Sequence, residues 1–235
     1  MKYDEATLGQ LVVEQPTRAR VFEQRGLDYC CGGKVLLREA CATHGLPLDE
    51  IAAELERVDA ESLETTAVDP ARLPRDPREL IRQIVETHHV YLKSEMPRIS
   101  ALAAKVTNAH GTRHPELTAV AATYEELRAE LEPHLLKEER VLFPWIERLA
   151  TPGSAAGPAT VAAPIQVMEA DHELAGSLLA KLRELTGGYA TPADGCPTFH
   201  AFYGALALLE ADTHRHIHAE NNLLFPLALE LEASA

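Results

Sequence analysis

Apolar residues recur every three to four positions through four long stretches in the C-terminal two thirds of the chain. This spacing is typical of amphipathic helices that bury one face. It predicts helix A at 77–108, helix B at 115–149, helix C at 164–187 and helix D at 197–232. The segments between them are rich in Gly, Pro, Ser, Thr and Ala. Four amphipathic helices joined in this way indicate a four-helix bundle.

The first 58 residues carry shorter apolar stripes and predict a small helical domain. Gly26 and Gly45 stand where two of its helices should end. A Cys-Cys-Gly-Gly turn at 30–33 lies between them. Residues 59–76 contain prolines, several acids and little apolar periodicity, which is typical of a linker. The expected protein is all-α, with a small domain at 1–58, a linker at 59–76 and a bundle at 77–235.

Composition supports helices and excludes some classes of partner. Hydrophobic residues make up 46% of the chain and aromatic residues only 5%, which favours helix over sheet. The net charge of −14 argues against a nucleic-acid interface or an anionic membrane surface. Without an 18-residue apolar run or a signal-peptide core, we expect a cytoplasmic protein with no membrane span. The four cysteines predict thiols rather than a disulfide framework.

One pattern of residues occurs twice, at 134–144 and at 216–226, and reads H-x-x-x-E-x-x-x-L-F-P in both copies. Residues four apart on an α-helix lie on the same face. Each copy therefore directs one imidazole and one carboxylate, that of Glu138 or Glu220, towards the same point. Two such pairs facing each other would offer nitrogen and oxygen ligands to more than one metal ion. Pro144 and Pro226 are expected to kink or end their helices.

The repeat extends to whole hairpins. His89 and His172 are 83 residues apart, and His134 and His216 are 82 apart. Helices A–B and C–D thus read as two copies of one unit, each with a histidine on its first helix. All four histidines lie 17 to 19 residues from the loop of their hairpin, so antiparallel helices should bring them to one depth.

Four imidazoles and the carboxylates of Glu138 and Glu220 exceed the needs of one tetrahedral zinc ion. Imidazole with bridging carboxylate suits a pair of iron ions, with manganese as an alternative. Each glutamate could span both ions, and an oxide or hydroxide bridge would leave room for a small ligand. Such a centre would suit diatomic gases as ligands and electron transfer as its chemistry. Metal loading should stabilise the fold.

Helices A–D resemble the hemerythrin-type cation-binding domain. Residues 7–58, including the run D-Y-C-C-G-G, resemble the small N-terminal domain that precedes it in the iron–sulfur cluster repair di-iron proteins (the RIC family). The resemblance implies bridging by the two glutamates. It also selects His89 over His88, because His89 is the one that lies eight residues before Pro97. The implied iron ligands are His89, His134, Glu138, His172, His216 and Glu220.

By this resemblance we expect a di-iron protein that repairs iron–sulfur clusters damaged by oxidative or nitrosative stress, by iron donation. Damaged iron–sulfur proteins would then be its partners. The alternatives are a reductase of nitric oxide or another small oxidant at the di-iron site, and a module that binds or senses O₂ or NO reversibly. The sequence leaves open whether the protein turns over as an enzyme and whether it is a monomer or a homodimer.

Cys30 and Cys31 carry two interpretations. The functional one is a thiol pair that contacts a damaged cluster, a nitrosothiol or iron in transit; the alternative is two small buried residues in a tight turn. Adjacent cysteines are not expected to bind one metal together readily. A helix beginning near Lys34 should lower a thiol pKa. We expect the small domain to pack over one end of the bundle, with this turn near the route to the metals.

The remaining candidates are flanking residues. Glu130, one turn before His134, is expected to accept a hydrogen bond from that imidazole, and Asp171 to line an access path. Cys41 and Cys196 are expected to be packing residues. Four further histidines are expected at the surface: His110, His114, His214 and His218.

Overall fold

The computed structural model describes residue 3 and residues 5–64, 73–151 and 160–234, without the side chains of 61–64. None of the helices in this part of the chain combines the length and apolar character needed to span a bilayer. The small N-terminal unit contains α1 (Leu8–Glu14), α2 (Ala19–Arg25), α3 (Leu37–His44) and α4 (Leu48–Glu64). The bundle contains α5 (Pro77–Ile84), α6 (Val90–His110), α7 (Glu116–Lys137), α8 (Phe143–Leu149), α9 (Ala162–Leu185), α10 (Pro197–Ala219) and α11 (Phe225–Ser234).

Three of the four long bundle helices contain one wide π-helical turn. These turns are Val85–His89 in helix A (α5 and α6), Glu138–Leu142 in helix B (α7 and α8), and Glu220–Leu224 in helix D (α10 and α11). Helix C is α9 alone. The predicted helices A to D are confirmed, with ends that differ by at most two residues.

The prolines of the repeat do not end their helices. Of the two predicted effects, a kink or an end, the second is therefore wrong. Each lies at the second position after a π-turn, and the helix continues to Leu149 or Ser234. Proline has no backbone N–H and crowds the preceding turn of a regular α-helix. A wider turn just before it accommodates both defects, and such turns are frequent at functional sites.

Two apolar clusters fill the bundle, one on each side of a polar layer. The first is built from α6, α7, α9 and α10, and includes Tyr124 and Phe202. The second joins α5, α8, α11 and the start of α9, and includes Ile84 and Phe225. On each long helix the predicted metal ligands lie near the point where residues of one cluster give way to residues of the other. The ligands therefore form one buried layer across the bundle.

The N-terminal unit has its own core around Phe22, Leu37 and Cys41, which confirms Cys41 as a packing residue. Gly26 and Gly45 end their helices in the left-handed conformation, at φ 66° and 65°, as predicted.

This unit extends beyond the predicted boundary at residue 58. The Arg18 guanidinium binds Asp59 through two hydrogen bonds of 2.7 and 2.8 Å. Helix α4 continues to Glu64, inside the range predicted as linker. The apolar periodicity of the sequence fades after Val58, but the backbone remains helical to Glu64. Residues 65–72 of the predicted linker lie outside the described residues.

Candidate metal centre

The six predicted ligands meet in the polar layer of the bundle, as the count from the loops predicts. They form two groups of four side chains whose ligand atoms all lie within 4.8 Å of one another. One group takes its histidines from helices A and D, and the other from helices B and C. Both groups contain the same two glutamates. The members are His89, His216, Glu138 and Glu220 in the first group and His134, His172, Glu138 and Glu220 in the second.

The imidazoles of each group face each other through their Nε2 atoms. These atoms are 3.2 Å apart between His89 and His216, and 3.1 Å apart between His134 and His172. Each i,i+4 pair of the repeat also closes as predicted, with His134 Nε2 3.2 Å from Glu138 and His216 Nε2 3.1 Å from Glu220. Nitrogen and oxygen atoms thus converge on two adjacent points.

The residue after each shared glutamate holds a histidine of the same hairpin. His89 Nδ1 lies 2.7 Å from Glu139 Oε1, and His172 Nδ1 lies 2.8 Å from Asn221 Oδ1. Such partners fix the tautomer and leave Nε2 free for a metal. Sequence reasoning missed both residues, although Glu139 and Asn221 occupy equivalent positions of the repeat and could have been found by aligning its copies.

His134 takes its partner from a different residue than predicted. Its Nδ1 lies 3.3 Å from Asp171 Oδ2, which also accepts a hydrogen bond of 2.8 Å from Lys137. Glu130 is exposed. The prediction for Glu130 is therefore wrong, because an acid one turn earlier on the same helix points to solvent while the neighbouring helix C supplies the carboxylate.

His216 breaks the symmetry of the site. The position equivalent to Asp171 in the first hairpin is His88, which stacks on the His216 ring at 5.6 Å and 15°. His88 Nδ1 instead pairs with Asp212 at 3.0 Å. Within the described residues, His216 Nδ1 is buried without a hydrogen-bond partner. His88 thus lies beside the site, while His89 faces into it.

The phenylalanines of the repeat support the histidines of the same hairpin. Phe143 stacks on His89 with centroids 5.5 Å apart, and Phe225 stacks on His172 at 6.0 Å and 2°. Such contacts restrict the ring orientation of a ligand at low entropic cost. The repeat therefore supplies a histidine, a shared glutamate, a partner for the hairpin's first histidine, and a ring beneath it.

Charge pairing outweighs burial at His134 and at both shared glutamates. Burial alone would lower the pKa of His134, but the carboxylates of Glu138 and Glu220 outweigh it and raise the pKa to about 9. Burial would raise the pKa of Glu220, but His216 and His172 hold it well below its usual value. Burial dominates at His216 and lowers its pKa. The glutamates are thus charged and able to bind a cation.

The donor set fits a pair of metal ions. Both oxygens of Glu138 are buried without a hydrogen bond from any described residue, as is Oε2 of Glu220. Burying carboxylate oxygens in this way is costly unless a cation compensates. The nitrogen and oxygen atoms surround two positions with the carboxylates shared between them, and no thiolate is among them.

Comparison with known proteins agrees with this geometry. Residues 80–228 match the hemerythrin HHE cation binding domain, and residues 4–59 match a domain of unknown function (DUF542). The chain is 37% identical to the iron–sulfur cluster repair protein YtfE of Edwardsiella ictaluri over 229 residues, 97% of this chain and 99% of that protein. It is 35% identical to the YtfE protein of Pectobacterium atrosepticum over 232 residues, 99% of this chain and 100% of that protein. A probable iron–sulfur cluster repair protein of Haemophilus influenzae is 34% identical over 229 residues, 97% of this chain and 99% of that protein.

The chain belongs to the YtfE family. The resemblance to iron–sulfur cluster repair proteins and the all-α fold with a hemerythrin-like bundle are therefore confirmed.

In this YtfE family member the cysteine turn at 30–33 packs against the polar layer of predicted ligands. The Asn222 amide donates to the carbonyl oxygens of Cys30, at 3.1 Å, and Tyr29, at 3.4 Å. A Cβ at Gly33 would lie 2.2 Å from Asn222 Oδ1 and 2.7 Å from Tyr29 O. Glycine is required at this position because the cysteine turn and helix D approach so closely.

Cys31 reaches the backbone of a predicted ligand. Its Sγ lies 3.5 Å from the carbonyl oxygen of His172. Cys30 is buried and Cys31 is partly buried. The hydrogen bond to Cys31 and burial raise the pKa of Cys30 well above its usual value. The expected lowering of a thiol pKa is wrong for Cys30, since a second thiol and the Asp28 carboxylate surround it.

Two histidines expected at the surface are buried. His218 packs against the Tyr29 ring at 5.3 Å, because the N-terminal unit covers that face of helix D. His110 packs against Phe199, and its Nε2 lies 3.2 Å from Cys196 Sγ. Cys196 itself is partly buried against the bundle core. His114 and His214 are partly buried rather than exposed.

Proposed function

We propose that the chain binds two iron ions in this layer and repairs iron–sulfur clusters damaged by oxidative or nitrosative stress. Two four-residue groups that share both glutamates support a pair of ions bridged by Glu138 and Glu220. Imidazole and carboxylate ligands suit iron. The names of the relatives, which are iron–sulfur cluster repair proteins, support the same activity.

Bound iron would supply redox and Lewis-acid chemistry, and in donation it would be the cargo. The protein residues would hold the histidines with Nε2 inward through Glu139, Asn221 and Asp171. The carboxylates of Glu138 and Glu220 would balance the cationic charge. Two of the partners, Glu139 and Asp171, are only partly buried and also pair with lysines, so they connect the layer to the surface.

The observation that favours repair over gas transport is the contact between Cys31 and the backbone of His172. A module that only carries O₂ or NO has no use for a thiol pair beside its ligands. Thiols are, however, suited to contact iron or a damaged thiolate-bound cluster.

Metal analysis and Mössbauer spectroscopy test the centre. We expect about two iron ions per chain, because two groups of ligands share the glutamates, and coupling of the two ions through an oxo or hydroxo bridge. Zinc alone, with no iron after reconstitution, would contradict the proposal.

A repair assay tests the function. A dehydratase whose iron–sulfur cluster has been nitrosylated or oxidised is incubated with iron-loaded protein, with the chelated protein, or with an equal amount of free iron salt. Recovery of dehydratase activity only with the loaded protein is expected. No recovery with a fully loaded protein would rule out donation. Steady NO consumption with an electron donor would then indicate a reductase, and an optical change reversed by purging would indicate a gas-binding module.

A further inference from the structure

A second group of metal-binding side chains lies in the N-terminal unit, outside the bundle layer. Asp28, Cys30 and Cys31 place one ligand atom each within 4.8 Å of one another. The two Sγ atoms are 4.0 Å apart, and Cys30 Sγ is 3.1 Å from Asp28 Oδ1. We propose that these three residues form a second metal site for a thiophilic divalent cation such as Fe²⁺ or Zn²⁺.

The distances agree with coordination of a single ion. Two thiolates at ~2.3 Å from a tetrahedral ion lie about 3.8 Å apart. A carboxylate oxygen at ~2.1 Å from the same ion lies roughly 3.1 to 3.6 Å from each sulfur. The observed 4.0 and 3.1 Å therefore need only small adjustments. The proposal departs from the expectation that adjacent cysteines do not readily bind one metal together.

The turn holds the three ligands in place without a metal. Asp28 Oδ1 accepts hydrogen bonds from the backbone N–H groups of Cys30, at 3.0 Å, and Cys31, at 2.9 Å. A Cβ at Gly32 would lie 2.7 Å from the Asp28 carbonyl oxygen, so the chain folds closely around this aspartate. Little conformational entropy is left to lose when an ion binds.

A cavity of about 370 Å³ between the two units gives access to this site. All three ligand residues line it from the N-terminal unit, and Gly176 and His214 line it from the bundle.

The cavity wall favours a cation. Four carboxylates line it against one guanidinium, that of Arg183, which is already paired with Glu210. The other three carboxylates belong to Glu23, Asp28 and Glu173. An ion held by two thiolates and one carboxylate keeps a position open to this space, which is typical of sites that exchange their ligand.

Binding converts two thiols into thiolates. The ion forms one bond to each sulfur and one to the Asp28 oxygen, and two protons leave to solvent for each ion bound. No oxidant or reductant takes part. The site does not depend on the proposed repair activity, and its test does not use that activity.

The test titrates Cd²⁺ into the full-length protein after its bundle site has been loaded with iron. We expect one cadmium ion per chain by equilibrium dialysis, a thiolate-to-metal absorption band, and release of two protons. Cys30→Ser and Cys31→Ser should lose the band. Asp28→Asn keeps the acceptor for the backbone N–H groups, and should weaken binding roughly tenfold or more, since even indirect partners of a metal contribute that much.

Cys196→Ser is the matched control, because it removes a partly buried thiol that contacts His110 in the bundle and is not among the proposed ligands, and it should bind cadmium like the parent protein. Retained iron and an unchanged iron spectrum show that each variant is folded. A band that persists in Cys30→Ser or Cys31→Ser would overturn the site. Binding by Asp28→Asn as tight as that of the parent would overturn the assignment of Asp28, and this variant keeps the test valid if a serine variant fails to fold.

Discussion

The side-chain amide of Asn222 donates a 3.1 Å hydrogen bond to the carbonyl oxygen of Cys30. Asn222 lies in the π-turn that begins with Glu220, so one short helical segment carries both a shared carboxylate and the contact to the cysteine turn. His218, one turn before it, packs on Tyr29. Helix D therefore fixes the position of the thiol pair relative to the polar layer of predicted ligands.

Replacement of Asn222 should loosen this contact. Asn222→Ala removes the bonds to Cys30 and Tyr29, and should cost about 1 kcal/mol of the free energy of unfolding for each. Hydrogen exchange at 29–33 should rise while the bundle core stays protected. Asn108→Ala, at an exposed position of α6, is the control and should change neither measurement. Unchanged exchange in Asn222→Ala would show that other contacts hold the turn.

Gly33→Ala should disturb the same contact by crowding. The new Cβ would lie 2.2 Å from Asn222 Oδ1 and 2.7 Å from Tyr29 O. Overpacking of this kind costs about 1 to 3 kcal/mol. Adding Asn222→Ala removes one of the two clashes, so the double variant should be less destabilised than the sum of the single variants in urea unfolding. Additive effects would contradict this packing.

The pair His88 and His89 tests the ligand assignment. His89 is fully buried with Nε2 directed into the layer, whereas His88 pairs with Asp212. His89→Ala should lower the iron content per chain, and His88→Ala should leave the iron content unchanged while altering the spectrum through its stacking on His216. Loss of iron in His88→Ala, with iron retained in His89→Ala, would reverse the assignment.

A second pair tests the partner of His134. Asp171→Asn keeps the size of the side chain but weakens its hold on His134 Nδ1, 3.3 Å away. Iron affinity should fall by about 10- to 100-fold, the usual effect of losing such a partner. Glu130→Gln is the control, because Glu130 is exposed. Competition with a chelator measures both, and equal affinities would show that Asp171 does not support the imidazole.

The sequence predicted that the six candidate ligands lie together, because helical spacing and the repeated hairpin can both be read directly from the chain. It could not predict whether the partner of His134 comes from the same helix or from a neighbouring one, since Glu130 and Asp171 are both acids at a suitable height. It also missed the burial of His218, because that face of helix D is covered by a domain far away in the chain. Glu139 and Asn221 could have been predicted from the repeat itself, because each directly follows a shared glutamate.

Removal of iron should destabilise the bundle. Without cations, Glu138 and Glu220 remain buried together. A ligand present at a thousandfold excess over its dissociation constant stabilises by about 4 kcal/mol. Chelation should therefore lower the melting temperature by several degrees in calorimetry, and re-addition of iron should restore it. Glu138→Ala, which lacks a shared ligand, should show no shift on chelation; a shift of the same size would place the stabilising ion elsewhere.

Thiol reactivity should differ between the two units. Cys196 is the N-cap of α10, where the nearby backbone N–H groups of Phe199 and Thr198 lower its pKa. The pKa of Cys30 is raised by its hydrogen bond to the Cys31 thiol and by burial. The thiolate is the species that reacts with iodoacetamide. Near neutral pH Cys196 should therefore be alkylated before Cys30 in the metal-free protein, as measured by pulse labelling and peptide mapping. As pH rises, the rate at Cys196 should increase first, because a lowered thiol pKa moves the thiolate population to lower pH.

Cys196→Ser should remove the early product and leave the slow one. Faster labelling of Cys30 would show that its thiol is ionised and open to solvent, contrary to the contacts described.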